Sequence, residues 1–192
     1  MKRIVIVSGA CGVGKSEALR SMRNALAGRV ADVAVLETDH FYMIIDPLWE
    51  VPQTEAQTYF ELSGFLLRET AQRLVRAGFD WIAIGSNGLY EESHVREFAR
   101  PLLEDGVAVH HVTLDPGLET LEERLAHRIR AHDYAVDEMK TPEWLRSQLS
   151  WFRDRYGPWT SVIDNSSLTP SQTAEAIYEV VESGKSRQLR RR

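Results

Sequence analysis

Cysteine is almost absent: of 192 residues, only Cys11 carries a thiol. A single cysteine excludes an internal disulfide framework. No apolar run reaches the length of about 18 residues that a helical membrane span requires. The apolar run that begins at Ile4 ends in glycines, so it reads as a strand and not as a leader. These absences favour a cytoplasmic protein without membrane contact. Histidines lack ligand spacing. His110 and His111 are adjacent and point to opposite faces of a strand, while His40, His94, His127 and His132 form no H-x-x-x-H pair. No internal repeat or low-complexity segment occurs.

Excess positive charge is also missing. The formal net charge is −5, and five of the basic residues lie in the last eight positions, Lys185 to Arg192. The remaining body carries 18 basic against 28 acidic residues, a net of −10. That balance excludes a nucleic-acid-binding body. Residues 185–192 read as a basic, disordered tail. Residues 1–184, at 43% hydrophobic and 27% charged for the whole chain, suit one α/β domain with a full core.

What the chain does have is concentrated at its start. The β-branched run Ile4-Val5-Ile6-Val7 leads into Gly9-Ala10-Cys11-Gly12-Val13-Gly14-Lys15-Ser16, and a helical pattern follows. This is G-x-x-x-x-G-K-[ST] in its strand–loop–helix setting, the P-loop. The glycines let the loop curl so that its backbone N–H groups face phosphate oxygens, and the helix beginning near Lys15 adds its own donors. Lys15 reaches the β- and γ-phosphates of a nucleotide, and the Ser16 hydroxyl ligates Mg²⁺. The pattern therefore predicts ATP with Mg²⁺ as the bound species. N-K-x-D, which guanine recognition would want, does not occur.

Strands and helices alternate along the whole chain. Strands are expected at Val33–Leu36, Trp81–Ile84, Val107–Leu114 and Ser161–Ile163, with helices between them and after the last. Pro47 and Pro52 frame an irregular loop over residues 40–52. Trp81 and Trp144 are expected in the core. This alternation implies a parallel sheet covered on both faces, with ligands at the C-terminal ends of its strands. The P-loop, Asp39, Ser86, Asn87, Asp115 and Asn165 then share one rim. Tyr42, Trp49, Asn87, Tyr90 and Trp151 are candidates to line an acceptor pocket, with Ser86 beside them.

At this point the chain resembles the small P-loop kinases of the nucleoside/nucleotide-kinase-like type, among them shikimate kinase, gluconate kinase, chloramphenicol phosphotransferase and uridine kinase. The segment Thr38-Asp39-His40-Phe41-Tyr42 is similar to the D-x-F-Y of uridine kinase-like enzymes, and Asp39 stands where chloramphenicol phosphotransferase carries its strand-2 aspartate. The resemblance implies that Asp39 accepts the proton of the acceptor hydroxyl. Leu114-Asp115-Pro116 through Arg124 and Arg128 is similar to the strand and lid helix that carry phosphate-binding arginines. Arg124 and Arg128 lie on one helical face, within reach of Glu119, Glu122 and Glu123 as well. Asp164-Asn165-Ser166-Ser167 is similar to the loop beside adenine. The resemblance further implies a P-loop NTPase fold with strand order 2-3-1-4-5 and a small helical lid over about 124–142.

One acid is missing from that pattern. Many relatives end strand 3 in Asp or Glu, whereas this chain has Ile82-Ala83-Ile84-Gly85. The usual support for the metal is then missing or supplied elsewhere, by Asp39 or, as second choice, by Asp115. The functional expectation is a kinase that moves the γ-phosphoryl of ATP to a hydroxyl of a small molecule that is antibiotic-, sugar- or nucleoside-like. A nucleoside or nucleotide kinase, and an ATP-binding switch or ATPase without an acceptor, stand as alternatives. A monomer or a homodimer suits the chain equally.

Overall fold

The computed structural model describes residues 2–48, 50, 52–131, 141–184 and 188–189, and within these all side chains but those of residues 53, 128–131 and 188. The elements are β1 (Arg3–Ser8), α1 (Lys15–Ala25), β2 (Val33–Glu37), α2 (Thr38–Ile45), α3 (Gln53–Ala77), β3 (Trp81–Gly85), α4 (Glu92–Glu104), β4 (Ala108–Leu114), α5 (Leu118–Ala131), α6 (Pro142–Arg153), β5 (Ser161–Ile163), α7 (Pro170–Glu182) and β6 (Gln188–Leu189).

Five strands pair in parallel in the order β2-β3-β1-β4-β5, as expected. The reason is visible in β1 and β3. Ile4, Val5, Ile6 and Val7, like Ile82, Ala83 and Ile84, are fully buried, which requires a cover on both faces. Alternate side chains divide between two cores. Val5 and Val7 pack with α1, α5, α6 and α7 through Leu19, Met22, Leu121, Leu149 and Ile177. Ile4 and Ile6 pack with α3 and α4 through Leu67, Ala71, Val95 and Phe98. Both late helices are capped. Thr141 accepts a hydrogen bond from the Trp144 N–H, and Thr169 forms a capping box with Gln172, each cap followed by a proline in the first turn.

Three expectations are corrected. The start of the 40–52 loop is the helix α2, reading Thr-Asp-His-Phe-Tyr-Met-Ile-Ile. Its aromatic and β-branched residues are weak helix formers, but tertiary packing against α3 overrides propensity. Trp144 is not a core residue. It is 39% exposed, because α6 turns Leu145, Leu149 and Phe152 inward instead. The tail is not wholly without structure: Gln188–Leu189 pairs antiparallel with Val109 and His110 of β4. Leu189 is an apolar residue that buries to 3% exposure on the stretch of that edge which β5 does not cover. The central part of the lid at 132–140, Trp49, and the rest of the tail lie outside the described residues.

Candidate active site

The P-loop runs from β1 into α1 at the C-terminal rim of the sheet. Gly9 holds φ 138°, and a Cβ there would stand 2.5 Å from the Leu114 carbonyl oxygen, so only glycine fits this turn. The Lys15 ammonium donates to the Gly9 and Ala10 carbonyls at 2.8 and 2.9 Å. An ammonium has three donors, so one remains for a phosphate oxygen. Desolvation of this site pulls the Lys15 pKa down to about 8, against the opposing pull of Cys11, Asp39 and Glu37.

The loop is braced from behind. Arg124 donates to the Val13 carbonyl at 2.9 Å and to the Asn165 carbonyl at 2.8 Å, and the Asn165 amide donates to the same Val13 oxygen at 2.9 Å. The amide's other end is settled by this bond: Asn165 Oδ1 is a buried acceptor without a partner among the described residues.

In front of the loop, the Ser16 hydroxyl donates to Glu37 Oε2 at 2.5 Å, within the range of a charge-assisted bond to a carboxylate. Glu37 ends β2 and pairs in register with Gly85 of β3. A Cβ at Gly85 would stand 2.7 Å from Leu19 Cδ1 and 3.4 Å from Glu37 Cγ. An acid thus stands on the adjacent strand, in register with the position where strand 3 carries none. Two residues on, Asp39 is exposed in the first turn of α2, with no hydrogen-bond partner among the described residues. These groups line one cleft of about 730 Å³, with Ser86, Asn87, Arg124 and Asn165 on its walls. That volume is ample for a nucleotide.

The profile of the AAA domain family matches residues 4–154. The chain belongs to the AAA domain family. No curated protein matches it by sequence. Its fold is that of the small P-loop kinases. It is similar to the tunicamycin resistance protein of Deinococcus radiodurans (TM-score 0.62, 18% identity, 95% of this chain and 96% of that one). It is also similar to the shikimate kinase of Acinetobacter baumannii in complex with shikimate (TM-score 0.63, 16% identity, 96% of each chain). A third likeness is to a putative kinase of Chloroflexus aurantiacus (TM-score 0.64, 16% identity, 95% and 97%).

Within this AAA domain, most of the expected site residues converge. Gly12, Gly14, Cys11, Lys15, Ser16, Asp39, Ser86, Asn87, Arg124 and Asn165 share the cleft, whereas Ala10 and Val13 are buried beneath it. Tyr42 does not join them. Its ring is 4% exposed and packs on Phe60 of α3 at a centroid distance of 4.8 Å, because α2 buries that face against its neighbour. Trp151 leans on Tyr90 at 4.3 Å with the Arg155 guanidinium 4.3 Å from its ring centroid, so it joins α6 to the 86–91 loop. Asp115 is taken up in an ion pair with Arg153 and is not a metal candidate here. Arg128 lies on α5, and its side chain is outside the described residues.

Two features around the cleft escaped the sequence reading. Glu37 is one; its only signal was a carboxylate closing an apolar strand. The other is a buried polar chain. His111 Nε2 lies 2.9 Å from the Leu89 carbonyl, which can only accept, so that nitrogen carries the proton. His111 Nδ1 then accepts from Thr160 at 2.7 Å, Thr160 from Thr113 at 2.8 Å, and Thr113 from Ser8 at 3.2 Å. Burial keeps His111 neutral, with a pKa near 4. Ser86 Oγ meanwhile accepts from the Gly88 and Leu89 N–H groups. The cleft-lining loop after β3 is thus tied through the core to Ser8, the residue before the P-loop.

Proposed function

We propose that this protein transfers the γ-phosphoryl group of ATP to a hydroxyl of a small molecule. The observation that carries the reading is the meeting of two acidic groups with the P-loop in one cleft: Glu37 on the Ser16 hydroxyl, and an unpaired Asp39 beside Lys15. The names of its structural neighbours, a shikimate kinase and a gluconokinase among them, support an alcohol as acceptor.

The P-loop amides and Lys15 would hold the triphosphate. Ser16 and Asp39 would hold Mg²⁺, with Glu37 orienting the Ser16 hydroxyl from the outer shell; the metal when bound neutralises charge on the β- and γ-phosphate oxygens. Their chemistry fits: a hydroxyl and carboxylates, all hard oxygen donors, converge where the phosphates would lie. Asp39 would take the proton of the acceptor hydroxyl as the new phosphorus–oxygen bond forms and the bond to ADP breaks. Because the transition state is loose, positioning and charge neutralisation supply most of the acceleration, and the base adds its smaller share. Ser86 and Asn87, on the cleft wall, would face the acceptor.

The test is a mass-spectrometric search of a metabolite mixture, incubated with enzyme and Mg-ATP, for a compound that gains one phosphate. A phosphorylated alcohol is expected. ATP consumption without any phosphorylated product would instead favour an ATPase. With the product known, Asp39→Asn should lower turnover by roughly 10²- to 10⁴-fold. Asp39 is exposed, so the fold should survive the change. Near-full turnover would end its assignment as base.

A further inference from the structure

The peptide group between Ala10 and Cys11 is gripped from both sides. Its carbonyl accepts from Lys15 Nζ at 2.9 Å. Its N–H, which a trans peptide turns the opposite way, donates to Gln148 Oε1 at 2.6 Å. Gln148 is 137 residues away, on α6.

α6 is a firm base for such a contact. Leu145, Leu149 and Phe152 anchor it in the core. Arg146 pairs with Glu122 of α5 at 2.8 Å, and Arg153 with Asp115 at 3.0 Å. Gln148 itself is half-buried. The orientation of the 10–11 peptide is consequently not left to the loop. Without an acceptor on the α6 side, that peptide would be held through its carbonyl alone, by Lys15 and a long 3.5 Å bond from the Val13 N–H, and its orientation would loosen. Nothing else among the described residues accepts the Cys11 N–H.

We infer that Gln148 is a positioning residue for phosphoryl transfer: it fixes the Ala10–Cys11 peptide, and through its carbonyl the Lys15 ammonium, at the γ-phosphate end of the P-loop. Gln148 is not among the residues that line the cleft, and it lies outside the P-loop motif. The inference rests on the kinase reading above, since it assigns Lys15 to the β- and γ-phosphates. It also makes α6, the helix that follows residues 132–140, part of the donor site.

The experiment compares Gln148→Leu, which keeps the shape and removes the acceptor, with Gln148→Glu, which keeps an acceptor oxygen. Calorimetric Kd values are measured for Mg-ADP and for the Mg-complex of the non-hydrolysable β,γ-imido analogue of ATP, alongside thermal midpoints. Gln148→Leu should weaken the γ-containing nucleotide by tenfold or more and Mg-ADP by less than threefold. Gln148→Glu should restore most of the ratio between the two. Equal losses for both nucleotides would overturn the inference, as would wild-type affinities in Gln148→Leu, or a Gln148→Glu protein that is folded but as defective as Gln148→Leu. Failure of the wild-type protein to bind Mg-ADP would overturn the kinase reading itself and the inference with it.

Discussion

Glu37 and Gly85 stand side by side on β2 and β3, and the carboxylate beside the glycine holds the P-loop serine through a 2.5 Å hydrogen bond. Parallel pairing makes this relationship. The two residues are far apart in the chain, and each is the last of its strand, so both arrive at the rim where the P-loop begins α1. Here the carboxylate that reaches that hydroxyl stands on β2.

Glu37→Ala should therefore reduce apparent Mg²⁺ affinity or turnover by roughly 10- to 100-fold, the range seen when outer-shell metal partners are removed. A Mg²⁺ titration of ATP turnover measures it. An unchanged titration would assign metal support to other residues.

Gly85→Ala tests the space. Its new methyl would meet Leu19 Cδ1 at 2.7 Å in a buried site. Overpacking of this kind costs about 1–3 kcal/mol, visible as a fall in the thermal midpoint. Glu37 Cγ lies at 3.4 Å from the same point, an ordinary van der Waals contact, so the fall in stability should exceed any change in Mg²⁺ dependence.

Lys15 supplies a pH dependence for binding. Its pKa of about 8 means that the free protein carries the ammonium below that pH and loses it above. Affinity for Mg-ADP should be flat from pH 6.5 to 7.5 and then decline above 8, approaching tenfold per pH unit. Lys15→Ala should abolish both the dependence and most of the affinity. Isothermal titrations across this range decide it.

His111 supplies one for stability. Its folded pKa near 4 is below the value of 6.5 for an unfolded histidine. Between these values the unfolded chain binds the proton and the folded chain does not. Stability from this group is complete above about pH 6.5 and is lost as pH falls toward 4, by on the order of 1–3 kcal/mol. His110 adds to the same trend, since burial and Arg3 also lower it to about 4. His111→Gln should flatten the fall in thermal midpoint between pH 7 and pH 5. A slope equal to wild type would mean that other groups dominate acid destabilisation.

Much of the fold was legible because its signals are local. Buried parallel strands such as Ile4–Val7 read as uninterrupted apolar runs, and Gly28, Gly78 and Gly106, all at positive φ, mark where helices end. Where local signals conflict with packing, the reading failed. α2 has a poor helical sequence and forms because α3 lies alongside it. Trp144 is large and apolar yet faces solvent, since three other residues of α6 fill the core. Leu189 sits among arginines in sequence but pairs with the open edge of β4.

The sequence by itself determined the P-loop, its strand and its helix, because a phosphate cradle is built from consecutive backbone amides and a contiguous motif encodes it. Only the tertiary structure decided what surrounds that cradle. Glu37 reaches Ser16 because of sheet register, Arg124 and Asn165 brace Val13 because of helix packing, and Gln148 meets Cys11 because α6 is docked against α5. None of these pairs has a spacing in sequence that could announce it. Each is made by a side chain brought to a backbone or hydroxyl partner by the burial of apolar residues elsewhere on its own element.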